Sequence, residues 1–207
     1  MILNEFFDKI YVINLDHRTD RWEKVVNSFK SIGLDNYERY SAIKTDNGWL
    51  GCNLSHLGVI EKSKENGYDN FLVFEDDFVL QDNFIESVTE TIKQLPEDWD
   101  MFYLGGNLSM CKVKEQISKN ITKVDSVLTT HCYAMRGTIY DKVLNESPIM
   151  PPQKGFLRGQ VIDVYYSEKI CPNHNTYICD PMLCTQDTGY SDIEKRVVNY
   201  SNLIKNT

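Results

Sequence analysis

The feature that most constrains the fold is Phe71-Leu72-Val73-Phe74 running directly into Glu75-Asp76-Asp77, with Phe78-Val79-Leu80 behind it. A short, unbroken apolar run is the pattern of a strand buried on both faces, which requires a sheet covered on either side. Three consecutive carboxylates at its end cannot all ionise in a dry place without a cation. Two readings follow: a strand tip that delivers acids into a metal-binding cleft, or a solvated acidic turn between two elements. In an extended segment alternate residues point the same way, so Glu75 and Asp77 should share one face while Asp76 points elsewhere. Such an acid-x-acid pair suits Mn²⁺ or Mg²⁺. These ions take one or two protein carboxylates and complete their shells with phosphates and water.

Strands and helices alternate through the first half of the chain. Residues 9–14 read as a first strand, ending in the polar loop 14–21. A helix follows with Trp22, Val25, Val26, Phe29 and Ile32 at helical spacing, and Gly33 stops it. Residues 37–42 read as a second strand, and Gly51 to about Asn66 as a second helix. Beyond the acids, Asp82 is a candidate N-cap for a helix carrying Phe84, Ile85, Val88, Ile92 and Leu95, which stops before Pro96. Residues 100–104 form another apolar run closed by Gly105-Gly106, and 109–127 read as a flexible loop or an edge hairpin. A strand at 131–135 and a helix at 137–146 come next, then a loop marked by Pro148, Pro151 and Pro152. Residues 160–169 read as helix, 176–179 as a late strand, and the tail from Asp192 as helical or partly disordered.

This order predicts one α/β domain over 1–207 with a mostly parallel sheet flanked by helices. Ligands bind such sheets outside the carboxyl ends of the strands. The loop 14–21 and the acids at 75–77 both lie there, which favours the metal reading.

The net charge of −8 argues against a nucleic-acid partner. No stretch approaches the ~18 apolar residues of a membrane span. Met1 is followed by no basic region and long apolar run, so no signal peptide is visible. The six cysteines include no CxxC pair, so the spacing of a structural zinc site is absent. Six thiols without a signal fit a reducing, cytoplasmic setting, although an excised domain of a secreted protein would look the same.

Three further groups bear on chemistry. A loop opening a helix offers backbone N–H groups to an anion, and Arg18 and Arg21, three apart, can both reach a phosphate. Their alternative is pairing with Asp16 and Asp20. In Gly51-Cys52-Asn53-Leu54-Ser55-His56 the glycine permits close backbone approach, but neighbouring Ser55 and His56 do not face each other, which excludes a hydrolase triad. Gln186 and Asp192 read equally as site residues or as turn and cap residues.

Tyr11-Val12-Ile13-Asn14-Leu15-Asp16-x-Arg18-x-Asp20-Arg21 resembles the opening signature of family 25 glycosyltransferases. These are the lipooligosaccharide-type and the related procollagen galactosyltransferases. Gly51-Cys52-x-x-Ser55-His56 and Val73-Phe74-Glu75-Asp76-Asp77 are similar to the family's second and third blocks, in the same order. Trp99-Asp100-x-x-Tyr103-Leu104-Gly105, Tyr133-Ala134 with Gly137, and Pro181-x-Leu183-x-x-Gln186 with Ser191-Asp192-Ile193 continue the match. Together the blocks span residues 10 to about 193.

The resemblance implies a GT-A-like, Rossmann-related fold, a UDP-sugar donor (commonly UDP-galactose, with glucose the other candidate) and inversion at the anomeric carbon. It implies that Glu75 and Asp77 hold Mn²⁺ (or Mg²⁺) and the donor's ribose and diphosphate. Asn14, Leu15, Arg18 and Arg21 would cradle the nucleotide, Ala42 and Ser55 line the pocket, and Gln186 approach the donor. For the base that takes the acceptor proton, Asp163 fits the family's late apolar-Asp-aromatic segment. Asp100, beside Trp99, competes with it, and a capping or surface role is the alternative for Asp163. The acceptor would be a glycan or protein hydroxyl, such as a collagen-like hydroxylysine, with 109–127 as an acceptor-side or lid segment. The missing lumenal signal favours a bacterial- or virus-type enzyme or an excised catalytic domain. The rival is a non-catalytic nucleotide-sugar-binding domain of the same fold. A nucleotidyltransferase is disfavoured by the lack of a Gly-rich, basic first loop. Nothing in the sequence sets the oligomeric state.

Overall fold

The computed structural model describes residues 2–147 and 161–199. Its first half runs α1 (Ile2–Phe6), β1 (Lys9–Asn14), α2 (Thr19–Ser31), β2 (Glu38–Ser41), α3 (Gly48–Glu65) and β3 (Asn70–Glu75). Next come β4 (Phe78–Leu80), α4 (Phe84–Ile92), β5 (Met101–Tyr103), β6 (Lys114–Ser118), β7 (Ile121–Val124) and β8 (Cys132–Arg136). The rest comprises α5 (Tyr140–Glu146), α6 (Ile162–Tyr165), β9 (Thr176–Cys179), β10 (Cys184–Gln186), β11 (Gly189–Ser191) and β12 (Arg196–Val198).

The central sheet has eight strands in the order β2-β1-β3-β8-β5-β9-β7-β6. β8 runs against β3 and β5, and β7 against β9 and β6, so six of the eight strands point the same way. The mostly parallel α/β sheet expected from the sequence is thus present, with two opposed strands inserted. β1 has β2 on one side and β3 on the other. That reversal is the topological switch point at which α/β sheets open a crevice beyond their carboxyl ends.

Side chains alternate across the sheet into two cores. Tyr11, Phe71, Val73, Tyr103 and Tyr133 pack under α3, α5, α6 and the π-helical turn Tyr166–Ile170. Ile10, Val12, Leu72, Phe74, Phe102 and Ala134 pack under α1, α2 and α4. All four residues from Phe71 to Phe74 are therefore fully buried, which is why this strand reads as a continuous apolar run.

Several local expectations are corrected. The strand ends at Glu75, and residues 76–77 turn into β4, which pairs with β10 rather than joining the main sheet. Extended alternation therefore stops before it reaches Asp77. The cap position of α4 is Asn83, in the left-handed region at φ 56° and without a side-chain cap bond, so Asp82 is not the cap. Asparagine tolerates that conformation better than most side chains. Of the two readings of 109–127, the hairpin holds: β6 and β7 form it at the far edge of the sheet. As far as residue 199 the tail is not helical, because β11 and β12 pair as an antiparallel hairpin. The proline-marked loop at 148–160 and residues 200–207 lie outside the described residues.

The Phe74 ring meets Phe29 edge-on and Phe78 at a tilt, with centroids at 5.2 and 4.9 Å. Phe74→Ala should cost about 3–5 kcal/mol of stability, read as a lowered urea midpoint.

Candidate active site

The carboxyl ends of β1 and β3 open into a cleft of about 560 Å³, a volume typical of small-molecule sites. One wall is the first half of α3, another the segment 129–130 leading into β8, and the C-terminal hairpin region 191–195 closes a third. Because β8 is antiparallel to β3, its entry loop arrives at the same end of the sheet as the acids.

All three acids reach this cleft, but each has a different environment. Asp76 is bound from beneath: Asn14 Nδ2 donates to Oδ2 at 2.6 Å, and the Arg21 guanidinium donates to Oδ1 at 2.6 Å. Burial still raises its carboxyl above the ordinary value, with Arg21 and Asn14 opposing. Glu75 accepts from the Thr130 hydroxyl at 2.5 Å, and His56 Nε2 stands 3.3 Å from the same oxygen. Burial alone would raise its carboxyl, but His56 and Thr130 together with His131 outweigh it and hold it below the ordinary value. Among the described residues the Asp77 carboxylate has only long contacts, to Arg21 at 3.4 Å and to the Gln186 amide at 3.5 Å. Burial, followed by the charge of Glu75, pushes it up to about 7. The turn therefore carries more negative charge than Arg21 offsets, and Glu75 and Asp77 are oxygen donors fit for a hard divalent cation.

The structure places Leu15, Arg21, Ala42, Ser55, Glu75, Asp77, Asp163 and Gln186 on this one cleft. Ser55 accepts from the Ile43 amide at 2.8 Å and donates to the Gly51 carbonyl at 2.7 Å, so it ties the 42–45 loop to α3. A Cβ on Gly51 would run into the Ile43 carbonyl oxygen, which is the close approach this glycine permits. Asp163 accepts from the Thr129 amide at 3.1 Å and the Val164 amide at 2.7 Å, and burial raises its carboxyl.

Three predicted residues lie elsewhere. Asn14 is buried below the cleft, where its Oδ1 accepts from Arg39 at 2.7 and 2.9 Å; it positions Asp76 rather than meeting a ligand. Arg18 does not line the cleft, because Asp20 and Asp192 take its guanidinium at 2.9 and 2.5 Å. The ion-pair alternative therefore holds for Arg18, while Asp16 pairs instead with Arg39 at 3.2 Å. Asp100 precedes β5 at the opposite end of the sheet, and its carboxylate accepts from Thr138 and the Asn175 amide. It cannot reach a proton in the cleft, which removes it as the competitor of Asp163. The hairpin β6–β7 likewise contributes no residue to the cleft.

Cleft residues that the sequence did not single out include Thr129 and Thr130. Thr129 is a β-branched residue at φ 72°, a strained conformation that persists where its surroundings over-determine it. Its amide points at Asp163, and its hydroxyl meets His131 Nδ1 at 3.0 Å. The available signal was Thr129-Thr130-His131, a polar run leading directly into a fully buried strand.

The family model described as "Glycosyltransferase family 25 (LPS biosynthesis protein)" matches residues 37–147, just over half of the chain. The chain belongs to glycosyltransferase family 25. The matched stretch of this family 25 chain holds α3, the acids and the 129–131 segment, but neither the 14–21 loop nor Asp163. Human "Inactive glycosyltransferase 25 family member 3" is 29% identical over 129 residues, covering 48% of this chain and 22% of that protein. "Procollagen galactosyltransferase 1-A" of Xenopus laevis is 26% identical over 251 aligned residues, covering 97% of this chain and 40% of that protein. The chain thus spans well under half the length of these relatives. Among solved structures, a glycosyltransferase involved in the glycosylation of the major capsid of PBCV-1 matches with a TM-score of 0.55 at 12% identity. The match covers 90% of this chain and 95% of that one, and it shows the GT-A-like fold.

Asp77 gives a signed pH prediction. Its folded pKa of about 7 lies above its ordinary 3.8, so between those values the fold holds a proton that the unfolded chain has lost. Stability from this group therefore falls as pH rises through that window. In chelator, Asp77→Asn should be more stable than the parent at pH 8 by on the order of 1–3 kcal/mol, and the gap should close near pH 4 in urea melts.

Proposed function

We propose that this family 25 chain moves a hexose from a UDP-sugar to a hydroxyl acceptor, with inversion and with a divalent cation at Glu75 and Asp77. The observation that carries this reading is the meeting of Glu75, Asp77 and Asp163 in one cleft at the sheet's switch point. UDP-galactose is the first donor to test, on the strength of the galactosyltransferase name of the Xenopus relative, and UDP-glucose the second. A glycan or a protein hydroxyl, such as a collagen-like hydroxylysine, is the proposed acceptor.

Each residue then has a task. When bound, the cation (Mn²⁺ or Mg²⁺) supplies charge neutralisation at the departing diphosphate. Arg21 adds a fixed positive charge at the same turn, already oriented by Asp76 and by the Tyr190 carbonyl at 2.8 Å. Gln186, held near Asp77, offers an amide toward the donor, while Leu15 and Ala42 give it apolar contact. Asp163 takes the proton of the acceptor hydroxyl as that oxygen attacks the anomeric carbon from the face opposite the leaving group. Burial raises Asp163 toward the pH at which a carboxylate accepts a proton most effectively.

UDP should bind more tightly when Mn²⁺ is added, and Asp77→Ala should remove that gain in calorimetric titrations. Equal UDP affinity in excess chelator would count against the cation role. Asp163→Asn should leave UDP affinity in place and lower turnover by about 10²–10⁴-fold.

A second reading is favoured by the name of the human relative, which is called inactive. In that case the chain binds a nucleotide sugar without turning it over. UDP release from UDP-galactose and UDP-glucose, with and without Mn²⁺ and with simple hydroxyl acceptors, separates the two. Tight UDP binding without any release of UDP favours the binding domain.

A further inference from the structure

The floor of the cleft holds a group of donors that differs in kind from the Glu75–Asp77 pair. Cys52 and His56 are four apart on α3 and so share one face, opposite the tip of β3. Cys52 Sγ, a His56 ring nitrogen and a Glu75 carboxylate oxygen all lie within 4.8 Å of one another. All three residues line the cleft.

His56 provides an independent observation. The residue is 1% exposed, and its buried Nε2 makes no hydrogen bond. Its other nitrogen, Nδ1, meets the Tyr133 hydroxyl at 3.0 Å, and that hydroxyl lies 3.3 Å from Tyr166 Oη. A hydrogen bond to one ring nitrogen that fixes the tautomer and aims the other is the arrangement found behind metal-binding histidines. With Nδ1 donating to Tyr133, Nε2 presents a lone pair to Glu75 Oε1 at 3.3 Å. Two such electron pairs repel each other unless a proton or a cation lies between them.

We propose that Cys52, His56 and Glu75 form a cation site for a thiolate-preferring divalent metal such as zinc, with its fourth position open to the cleft. Thiolate, imidazole and carboxylate are zinc's ligand set, and three protein ligands with an open position are the pattern of its reactive sites. One thiolate and one carboxylate balance the ion's two charges, with His56 neutral. Tetrahedral ligands about 2.0–2.3 Å from the ion stand roughly 3.3–3.8 Å apart, so closure asks for a shift of about an ångström. In the absence of a cation the thiol stays protonated; burial and the acids Glu75, Asp163 and Asp77 push it well above the ordinary range. Uptake of the ion forms the metal–sulfur bond and releases that proton to solvent. The site does not depend on the nucleotide-sugar reading, although it shares Glu75 with it.

Cobalt titration of the chelator-stripped full chain tests the proposal. The expected result is a thiolate-to-cobalt charge-transfer band that saturates with a single equivalent, alongside four-coordinate visible bands, and that zinc bleaches. Cys52→Ser should lose the band, and Tyr133→Phe should keep it with affinity weakened about tenfold or more. Asp77→Asn should keep it too while losing the Mn²⁺ effect on UDP, so failure of the oxygen-ligated site and failure of this one are told apart. Without any variant, zinc should protect Cys52 from alkylation in peptide mapping. Absence of the band in the parent, its persistence in a folded Cys52→Ser, or unchanged alkylation of Cys52 overturns the site.

Discussion

The clamp on Asp76 is the interaction on which the candidate site depends. Asn14 stands at the end of β1, and with one amide it accepts from Arg39 and donates to Asp76. Arg21, from the first turn of α2, donates to Asp76 from the other side. The acidic turn is thereby fixed to two elements of the opening βα unit, and the flanking carboxylates of Glu75 and Asp77 face the cleft without spending their own oxygens on that anchorage. Removing Arg21 would leave the buried Asp76 charge uncompensated, which costs far more than the pair itself contributes. The clamp is thus better understood as fixing geometry than as supplying stability.

The charge left over is the functional consequence. Arg21 answers Asp76 and only grazes Asp77 at 3.4 Å. Arg18, the other guanidinium in the loop, is committed to Asp20 and Asp192. With Glu75, Asp77 and Asp163 all partly shielded from water, the cleft holds a surplus of negative charge. An anionic diphosphate would be repelled from it unless a cation came with it, a physical reason to expect the two to bind together.

Much of this was legible in the sequence, for identifiable reasons. Phe71–Phe74 declared itself because burial on both faces erases alternation. β1 declared itself in the same way, and α2 through ordinary helical periodicity. The strand at β8 was legible but its antiparallel direction was not, because an apolar strand carries no mark of its direction. Asp76 was set apart from Glu75 and Asp77 for a reason that does not survive: the segment turns after Glu75, and the carboxylate is separated from its neighbours by partners, not by pleat alternation. Asp100 looked equivalent to Asp163 because both are acids beside buried aromatics. Only the sheet's polarity puts one at the cleft and the other at the far end. The pairing of Cys52 with His56 was visible as a four-residue spacing, but its third member comes from another element.

Glu75 would link the two proposed cation environments of the cleft. A hard ion shared with Asp77 and a soft ion shared with Cys52 and His56 would draw on the same carboxylate, so each weakens the other's field. Two dications a few ångströms apart also repel, by on the order of 10 kcal/mol at the effective dielectric of a protein surface. Occupation of one site therefore lowers affinity at the other, and linkage makes that penalty mutual. The Thr130 hydroxyl and His56 hold Glu75 on the side of α3 and β8, whereas Asp77 stands with Arg21 and Gln186. In the structure as it stands, Glu75 leans toward the imidazole. Bringing it to Asp77 on a shared ion would require that contact to loosen, so under the proposed cation role His56 would set how readily the acid pair closes.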